Sequence, residues 1–452
     1  MKILLVEPNF PFPNKSRNKA NQIHKNFLPI ALLKFSTMHK NQGNAVKLVR
    51  GKIRKEEIGF VPDEILVTSI FTYWSKYVWD CISHYRQLFP NSLIRLGGIY
   101  ATLHAENEKF KEQRRKFKVK IHKGIHKRAE NFLPDYSVLS DVEYHATHMM
   151  RGCIRRCTFC GTWILEPSRT NKSKNEILKE LIAIGKNKVI FYDNNILANP
   201  NIKEILKAFS ELKINNKSVF FESQSGFDGR LLERDPELAK LIIKAGFRNV
   251  RIAWDNGLKD KTSIKKQVDI LVAAGYKAKD ISIFMIYNFN IPHEKMLKKI
   301  DNCKEWGVQI ADCRYRPLDL DYDNYNPHLR HGQPEGSYYI HKEAGWEDTK
   351  IRDFRSRVRK HNIWVRYAKD KGKEYDNKME KWSAINNTYK FFNLGRRPPY
   401  MERIARSPFL RKKIRFLNKI KNYYILNNIS PNGVGSYSMK ELEQFINKHI
   451  KK

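Results

Sequence analysis

Strand-like and helix-like segments alternate six times between Tyr144 and Arg316, and this repeat constrains the fold more than any other feature of the chain. The predicted strands are Tyr144–Met149, Lys188–Tyr192, Ser218–Glu222, Asn249–Ala253, Asp280–Met285 and Val308–Tyr315. Helical segments lie between them, with start and stop signals. Ser173 and Glu176 have capping-box spacing ahead of Ile177, Leu178 and Leu181. Asn199-Pro200 and Asp235-Pro236 each set a capping side chain before a proline suited to a first helical turn. Gly246, Gly275 and Gly307 fall where a left-handed residue closes a helix. Six βα units curl into an incomplete barrel, since closure takes eight, and the loops at the carboxyl ends of such strands build active sites.

Residues 1–125 read as a separate α/β unit. Strands are expected at Ile3–Glu7, Ala45–Val49, Glu64–Ser69 and Ser92–Leu96, with helices over Phe27–His39 and Tyr77–Leu88. This alternation implies a mostly parallel sheet with crossover helices. Residues 126–143 read as a linker, 144–320 as the partial barrel, and 321–452 as a mostly helical, basic C-terminal region. The fold class is therefore α/β.

Cysteine usage separates the chemical possibilities. Six cysteines in 452 residues make no disulfide framework. Three of them, Cys153, Cys157 and Cys160, crowd into the segment Arg151-Gly152-Cys153-Ile154-Arg155-Arg156-Cys157-Thr158-Phe159-Cys160-Gly161, directly after the first barrel strand. Crowded thiols in a reducing compartment usually hold metal. No stretch is long and apolar enough to span a membrane, and the N-terminal Met1–Pro8 run lacks a cleavage site, so a cytoplasmic location is expected. The net charge of +38 favours polyanionic partners, nucleic acid among them, although a lysine-rich surface also serves solubility alone. Ten basic residues face the single acid Glu112 over Lys109–Arg128, and ten face Glu402 over Arg396–Lys421.

A loop of this length can wrap three thiolates around one face of an iron–sulfur cubane, leaving one iron without a protein ligand. The alternatives are a structural zinc or a fully ligated electron-transfer cluster; either wants a fourth nearby ligand, for which His148 is the candidate. The C-x3-C-x2-C spacing, with Phe159 before the last Cys, resembles the radical S-adenosylmethionine (SAM) superfamily. That family folds into a six-strand partial barrel. The resemblance implies a [4Fe–4S] cluster on Cys153, Cys157 and Cys160, with SAM chelating the open iron. It also implies reductive cleavage of SAM to methionine and a 5′-deoxyadenosyl radical, with an electron from a flavodoxin- or ferredoxin-type donor. By position, Phe159, Asp193, Asn194, Asn195, Gln224 and Asp255 would contact SAM, with Arg251 a further candidate. Cys313, on the sixth strand, is a candidate hydrogen donor or thiyl site, against the commoner role of a packing cysteine.

The N-terminal unit, with Phe71-Thr72-Tyr73-Trp74 after its third strand and Leu96-Gly97-Gly98 after its fourth, resembles the Rossmann-like cobalamin-binding domain of the B12-type radical SAM subgroup. Thr72, Tyr73, Gly97 and Gly98 would then line a cobalamin site. The D-x-H-x-x-G loop that supplies a cobalt ligand in that family is missing. With cobalamin, the resemblance implies methyl transfer to carbon or related C–H chemistry. Two other readings stand beside this one: a radical SAM enzyme acting on RNA, and a non-catalytic Fe–S or zinc protein that binds nucleic acid.

Overall fold

The computed structural model describes residues 1–11, 27–140, 142–325, 332–367, 391–392, 408–427, 429–430 and 437–450. The chain forms two compact units, Met1–Val365 and Arg366–Lys452.

The first unit opens with β1 (Lys2–Glu7), α1 (Ile30–Lys40), β2 (Ala45–Arg50), β3 (Glu64–Ser69), α2 (Ser75–Leu88), β4 (Leu93–Gly98), α3 (Ile99–Leu103), α4 (Glu108–Lys116) and β5 (Val119–Ile121). Its sheet is parallel throughout, in the order β2-β1-β3-β4-β5. Winding reverses between β1 and β3, and ligands of such sheets gather beyond the strand carboxyl ends at that reversal. The central strands are apolar runs because both faces are covered: Ile3, Leu4, Leu5 and Val6 are all fully buried. Strand β5 falls inside the basic stretch Lys109–Arg128, which the charge pattern marks as a solvated face or an edge, and it is an edge strand. Alternating lysines hide so short an edge strand in the sequence, and charge on an edge guards it against further pairing.

The expected linker is a packed strap. Asp135 accepts from Ser36 Oγ at 2.6 Å and pairs with Lys40 at 2.7 Å, which holds the strap on α1. Tyr136 Oη accepts from Ala146 N–H at 3.0 Å, tying the strap to the next strand.

The six-fold repeat folds as β6 (His145–Thr147), α5 (Lys174–Ile184), β7 (Lys188–Phe191), α6 (Ile202–Glu211), β8 (Phe220–Ser223), α7 (Glu237–Lys244), β9 (Arg251–Ala253), α8 (Lys261–Ala273), β10 (Ser282–Tyr287), α9 (His293–Trp306) and β11 (Gln309–Arg314). All strand pairs are parallel and sequential, β6-β7-β8 and β9-β10-β11. The parallel bridges Phe221–Phe247 and Phe227–Ile252 join the two halves. Ser173 and Glu176 form the capping box of α5, and Gly185 closes that helix in a left-handed conformation. The two proline starts differ from each other. Asn199 caps as expected, its Oδ1 accepting from Asn201 N–H at 2.8 Å while its Nδ2 donates to Met149 O and Lys172 O, whereas Asp235 pairs with Lys203.

Side-chain alternation sets up an open inner face. Ile252, Ile283, Met285, Tyr287 and Ile310 are buried against the surrounding helices. Their alternates Arg251, Ala253, Phe284, Ile286, Ala311 and Cys313 stay partly or fully exposed, although β10 is paired on both sides. In the first half of the arc, the inner-face residues Ala146 and Ile190 pack instead with Ile30 from the N-terminal part.

After β11 the chain crosses back to the first sheet. His104 pairs with Asp321 at 2.9 Å and meets Leu318 O at 2.9 Å, and Trp74 bridges to Tyr322. Helix α10 (Asp348–Tyr367) then packs Ile351, Phe354 and Val358 into the main core. The second unit contains α11 (Pro408–Leu426) and α12 (Met439–His449), whose core includes Phe392, Leu417, Ile420, Tyr424, Leu442 and Ile446. The Arg396–Arg406 part of the basic segment lies outside the described residues. No helix among the described residues is long and apolar enough to cross a membrane.

Candidate active site

The three crowded cysteines follow β6 on a loop whose base is a short antiparallel pair, Met150–Arg151 with Thr170–Asn171. Gly152 turns the chain there at φ +75°, and a Cβ at that position would stand 3.0 Å from Ser168 O. A glycine is therefore required by both conformation and space. Within the loop, Cys160 N–H donates to Cys157 O at 3.1 Å, and Arg155 N–H points to Cys153 Sγ at 3.3 Å. Cys160 Sγ stands 3.1 Å from Thr162 Oγ1, which donates to Asn194 Oδ1 at 3.1 Å. All three thiols are free and partly exposed. Burial pushes the Cys157 thiol up; Asp255, Cys160 and Cys153 add to the rise, while Arg230 opposes it.

Among the described residues, no three His, Cys, Asp or Glu side chains converge as ligands of one metal ion. A cubane takes each thiolate at a different iron, so its ligands need not converge on one point, and the three cysteines are partly exposed on one loop.

Charged groups that the sequence did not single out hold this loop. Arg151 donates to Glu130 at 2.8 Å and to Glu166 at 3.0 Å, and Glu166 also accepts from Gly152 N–H at 2.6 Å and Asn194 Nδ2 at 3.0 Å. Arg155 reaches Asp228 at 2.9 Å, and Arg230 reaches the same carboxylate at 2.9 Å. Burial works to raise the Asp228 pKa, but the two guanidiniums prevail and hold it below the usual carboxylate range. Local sequence gives no sign of these pairs, whose members lie up to 73 residues apart.

The expected SAM contacts divide. Asp193 is fully buried and accepts from Met149 N–H at 2.9 Å and Met150 N–H at 2.6 Å, so it braces the start of the loop. Burial pushes its carboxyl up to about 7, although the two N–H donors pull the other way. Asn194 is engaged at both ends of its amide, by Thr162 and Glu166. Asn195 donates to Asp228 at 3.1 Å, but its Oδ1 is buried without a hydrogen-bond partner among the described residues. Gln224 Oε1 is in the same state. Two orphaned acceptors at neighbouring strand ends suit a ligand rich in N–H and O–H donors, as SAM is.

Asp255 is half-buried, and burial pushes its carboxyl up to about 6 while Lys299 and Arg230 work against the rise. Phe159 meets Phe289 edge-on at 6.0 Å, and Phe289 packs on Tyr315 at 4.2 Å. Arg251 is committed to Glu222 and to Ser223 O. Cys313 is exposed to the open inner face; enclosure by the surrounding arc, with Asp312 and Asp255 adding to the rise and Arg251 opposing it, pushes its thiol up to about 12.

A cavity of about 830 Å³ runs between α1, the carboxyl ends of β3 and β4, and the mouth of the strand arc. Gly97, Gly98, Asn194 and Gln224 line it. Thr72 and Tyr73 are not among its lining residues; Thr72 is buried, and Tyr73 lies under Arg316. The two glycines have different duties. A Cβ on Gly98, at φ +100°, would come within 2.0 Å of Ser69 O, so this glycine serves packing. A Cβ on Gly97 would meet only His122 O at 3.9 Å, which leaves an open backbone face toward the cavity.

Residues 147–310 match the family model described as the radical SAM superfamily. That stretch is similar to a radical SAM domain. Such a domain implies SAM and a [4Fe–4S] cluster as cofactors. No curated protein matches the chain. Among solved structures it is similar to Streptococcus suis SuiB bound to S-adenosylmethionine, at 14% identity and a TM-score of 0.30 over 50% of this chain and 55% of that one. It is also similar to the carboxyl transferase domain of Rhizobium etli pyruvate carboxylase with pyruvate, at 12% identity and a TM-score of 0.21 over 84% of this chain and 58% of that one. The chain thus spans a little over half the length of either protein. Likenesses this slight carry no functional argument.

Proposed function

We propose that the chain is an enzyme in which Cys153, Cys157 and Cys160 hold a [4Fe–4S] cluster for the reductive cleavage of SAM. The observation that carries this reading is the three-cysteine loop at the carboxyl end of the first of six sequential parallel strands, inside the matched radical SAM residues. When bound, cluster and SAM would together supply radical hydrogen-atom abstraction. The chain's own residues bind, orient and shield. Asn195 Oδ1 and Gln224 Oε1 accept from SAM donors, Asp255 faces the same mouth, and Phe159 gives an apolar wall. Asp193, Glu166 and Arg151 keep the loop rigid, since loose geometry wastes a radical. Cys313 is the proposed hydrogen donor on the inner face, and a flavodoxin- or ferredoxin-type protein the proposed electron source.

The cavity supports the finer reading that cobalamin binds between the two sheets. It is large, apolar along α1, and bordered by the open backbone of Gly97. His39, His122, His126 and His148 also line it, and His122 and His148 each keep one buried ring nitrogen without a partner among the described residues. When bound, cobalamin supplies methyl-group chemistry.

Anaerobic reconstitution with iron and sulfide, followed by SAM and dithionite, tests the main reading. Wild type is expected to form 5′-deoxyadenosine and Cys157→Ala to form none. Intact SAM in the presence of a full cluster would overturn it. Retention of hydroxocobalamin through gel filtration, read from its visible spectrum, tests the cobalamin assignment separately.

A further inference from the structure

Where the two sets of strand ends face each other, two guanidinium groups share one carboxylate. Arg314, the last residue of β11, donates to Asp323 Oδ1 at 2.6 Å and to Tyr339 O at 3.2 Å. Asp323 also accepts from Tyr325 N–H at 3.0 Å and Tyr339 N–H at 3.3 Å, and its side chain is fully buried. Its acceptor capacity is largely taken.

Arg316 is left with little. Its Nε comes no closer to Asp323 than 3.7 Å and has no hydrogen-bond partner among the described residues. The guanidinium lies 3.9 Å over the Tyr73 ring, and its side chain is 22% exposed. One carboxylate against two guanidiniums leaves an excess positive charge in a largely desolvated place, which is costly unless an anion completes it. Burial accordingly pulls the Arg316 pKa below its ordinary value.

The surroundings indicate where that anion belongs. A guanidinium stacked flat on an aromatic ring keeps its N–H edge free for in-plane, two-pronged bonding to an oxyanion. Tyr73 stacks on Phe71 at 5.1 Å, and Phe71 lines the large cavity. Cys313, on the inner face of the arc, is also among the titratable neighbours of Tyr73. Arg316 thus connects to the edge of that cavity through Tyr73 and Phe71.

We propose that Arg316, backed by Arg314 and lying over the Tyr73 ring, binds a carboxylate or phosphate group of the substrate. Assigning the anion to the substrate rests on the radical SAM reading; the anion site itself does not. It adds a substrate class, a molecule bearing a carboxylate or phosphate group, to that reading.

The test is calorimetric titration of the full chain with inorganic phosphate and, separately, with acetate. Wild type is expected to bind one of them saturably, and the preferred anion tells phosphate from carboxylate. Arg316→Met keeps the apolar stem and is expected to bind about tenfold more weakly or worse. Arg316→Lys, with charge but no planar fork, is expected to fall between the two. Should Arg316→Met fail to fold, the lysine variant decides, since equal binding by Arg316→Lys and wild type overturns the two-pronged site. Equal binding by wild type and Arg316→Met, or no saturable binding of either anion by wild type, also overturns the proposal. 5′-Deoxyadenosine formation by wild type, assayed in parallel, keeps failure of the radical SAM reading distinct from failure of the anion site.

Discussion

At the residue scale, the run Asp193-Asn194-Asn195 shows how a motif position and a role separate. All three sit at the end of β7, as the repeat predicts, yet each side chain reaches a different neighbour. Asp193 takes backbone N–H groups, Asn194 takes Thr162 and Glu166, and only Asn195 keeps an orphaned acceptor. Buried ion pairs of this domain also set its response to acid. Glu180 accepts from His145 at 3.0 Å and pairs with Lys172. Burial works to raise its pKa, but those partners prevail and bring the carboxyl down from 4.5 to about 2. A depressed carboxylate stabilises the fold fully above its unfolded value, and that stability is lost as pH falls through the folded one. The shift corresponds to on the order of 3 kcal/mol. Glu180→Gln is therefore expected to lower the urea midpoint near neutral pH and to flatten its decline between roughly pH 4.5 and 2. Parallel midpoint-against-pH curves for wild type and variant would contradict this.

At the element scale, helices position strand ends through a few buried groups. Lys299 of α9 is fully buried, donates to Trp254 O at 2.6 Å and Asn256 O at 3.0 Å, and lies 4.8 Å from the Trp254 ring. It clamps the turn that carries Asp255. Burial draws its ammonium down to about 8, with Asp255 working against the fall. Lys299→Met keeps the volume and removes both donors, leaving two carbonyls unsatisfied at about 1–3 kcal/mol each. The expected result is faster hydrogen exchange over residues 254–257 and SAM binding weakened about tenfold, measured by calorimetry. Unchanged exchange there would show that the turn holds without the lysine.

At the scale of the whole molecule, charge is concentrated where packing does not need it. Helix α11 carries Arg411, Lys412, Lys413, Arg415, Lys419 and Lys421 without an acidic residue. Contacts to polyanion phosphates weaken steeply with salt. The full chain is expected to leave heparin at higher salt than a chain ending at Val365. Equal elution would assign the affinity to the first unit, where α4 and its flanks are also basic. RNA retained at low salt and released at high salt would favour the RNA-modifying reading.

Much of the architecture was legible because its signals are local. Period-two and helical spacing, the Ser173–Glu176 capping box and the C-x3-C-x2-C loop involve residues a few positions apart, and backbone sterics turn such patterns into elements with little outside help. Strand β5 escaped because three residues with a central lysine carry too little pattern. The site's finer arrangement required the folded chain. Ser75 Oγ donates to Asp321 O across 246 positions, and His104 meets Leu318 O across 214. Which acceptors stay orphaned, that Tyr73 lies under Arg316 instead of along the cavity, and where Asp193 points depend on such distant contacts. Sequence by itself determined the repeat and the thiol loop; tertiary packing decided which polar groups were left free to bind.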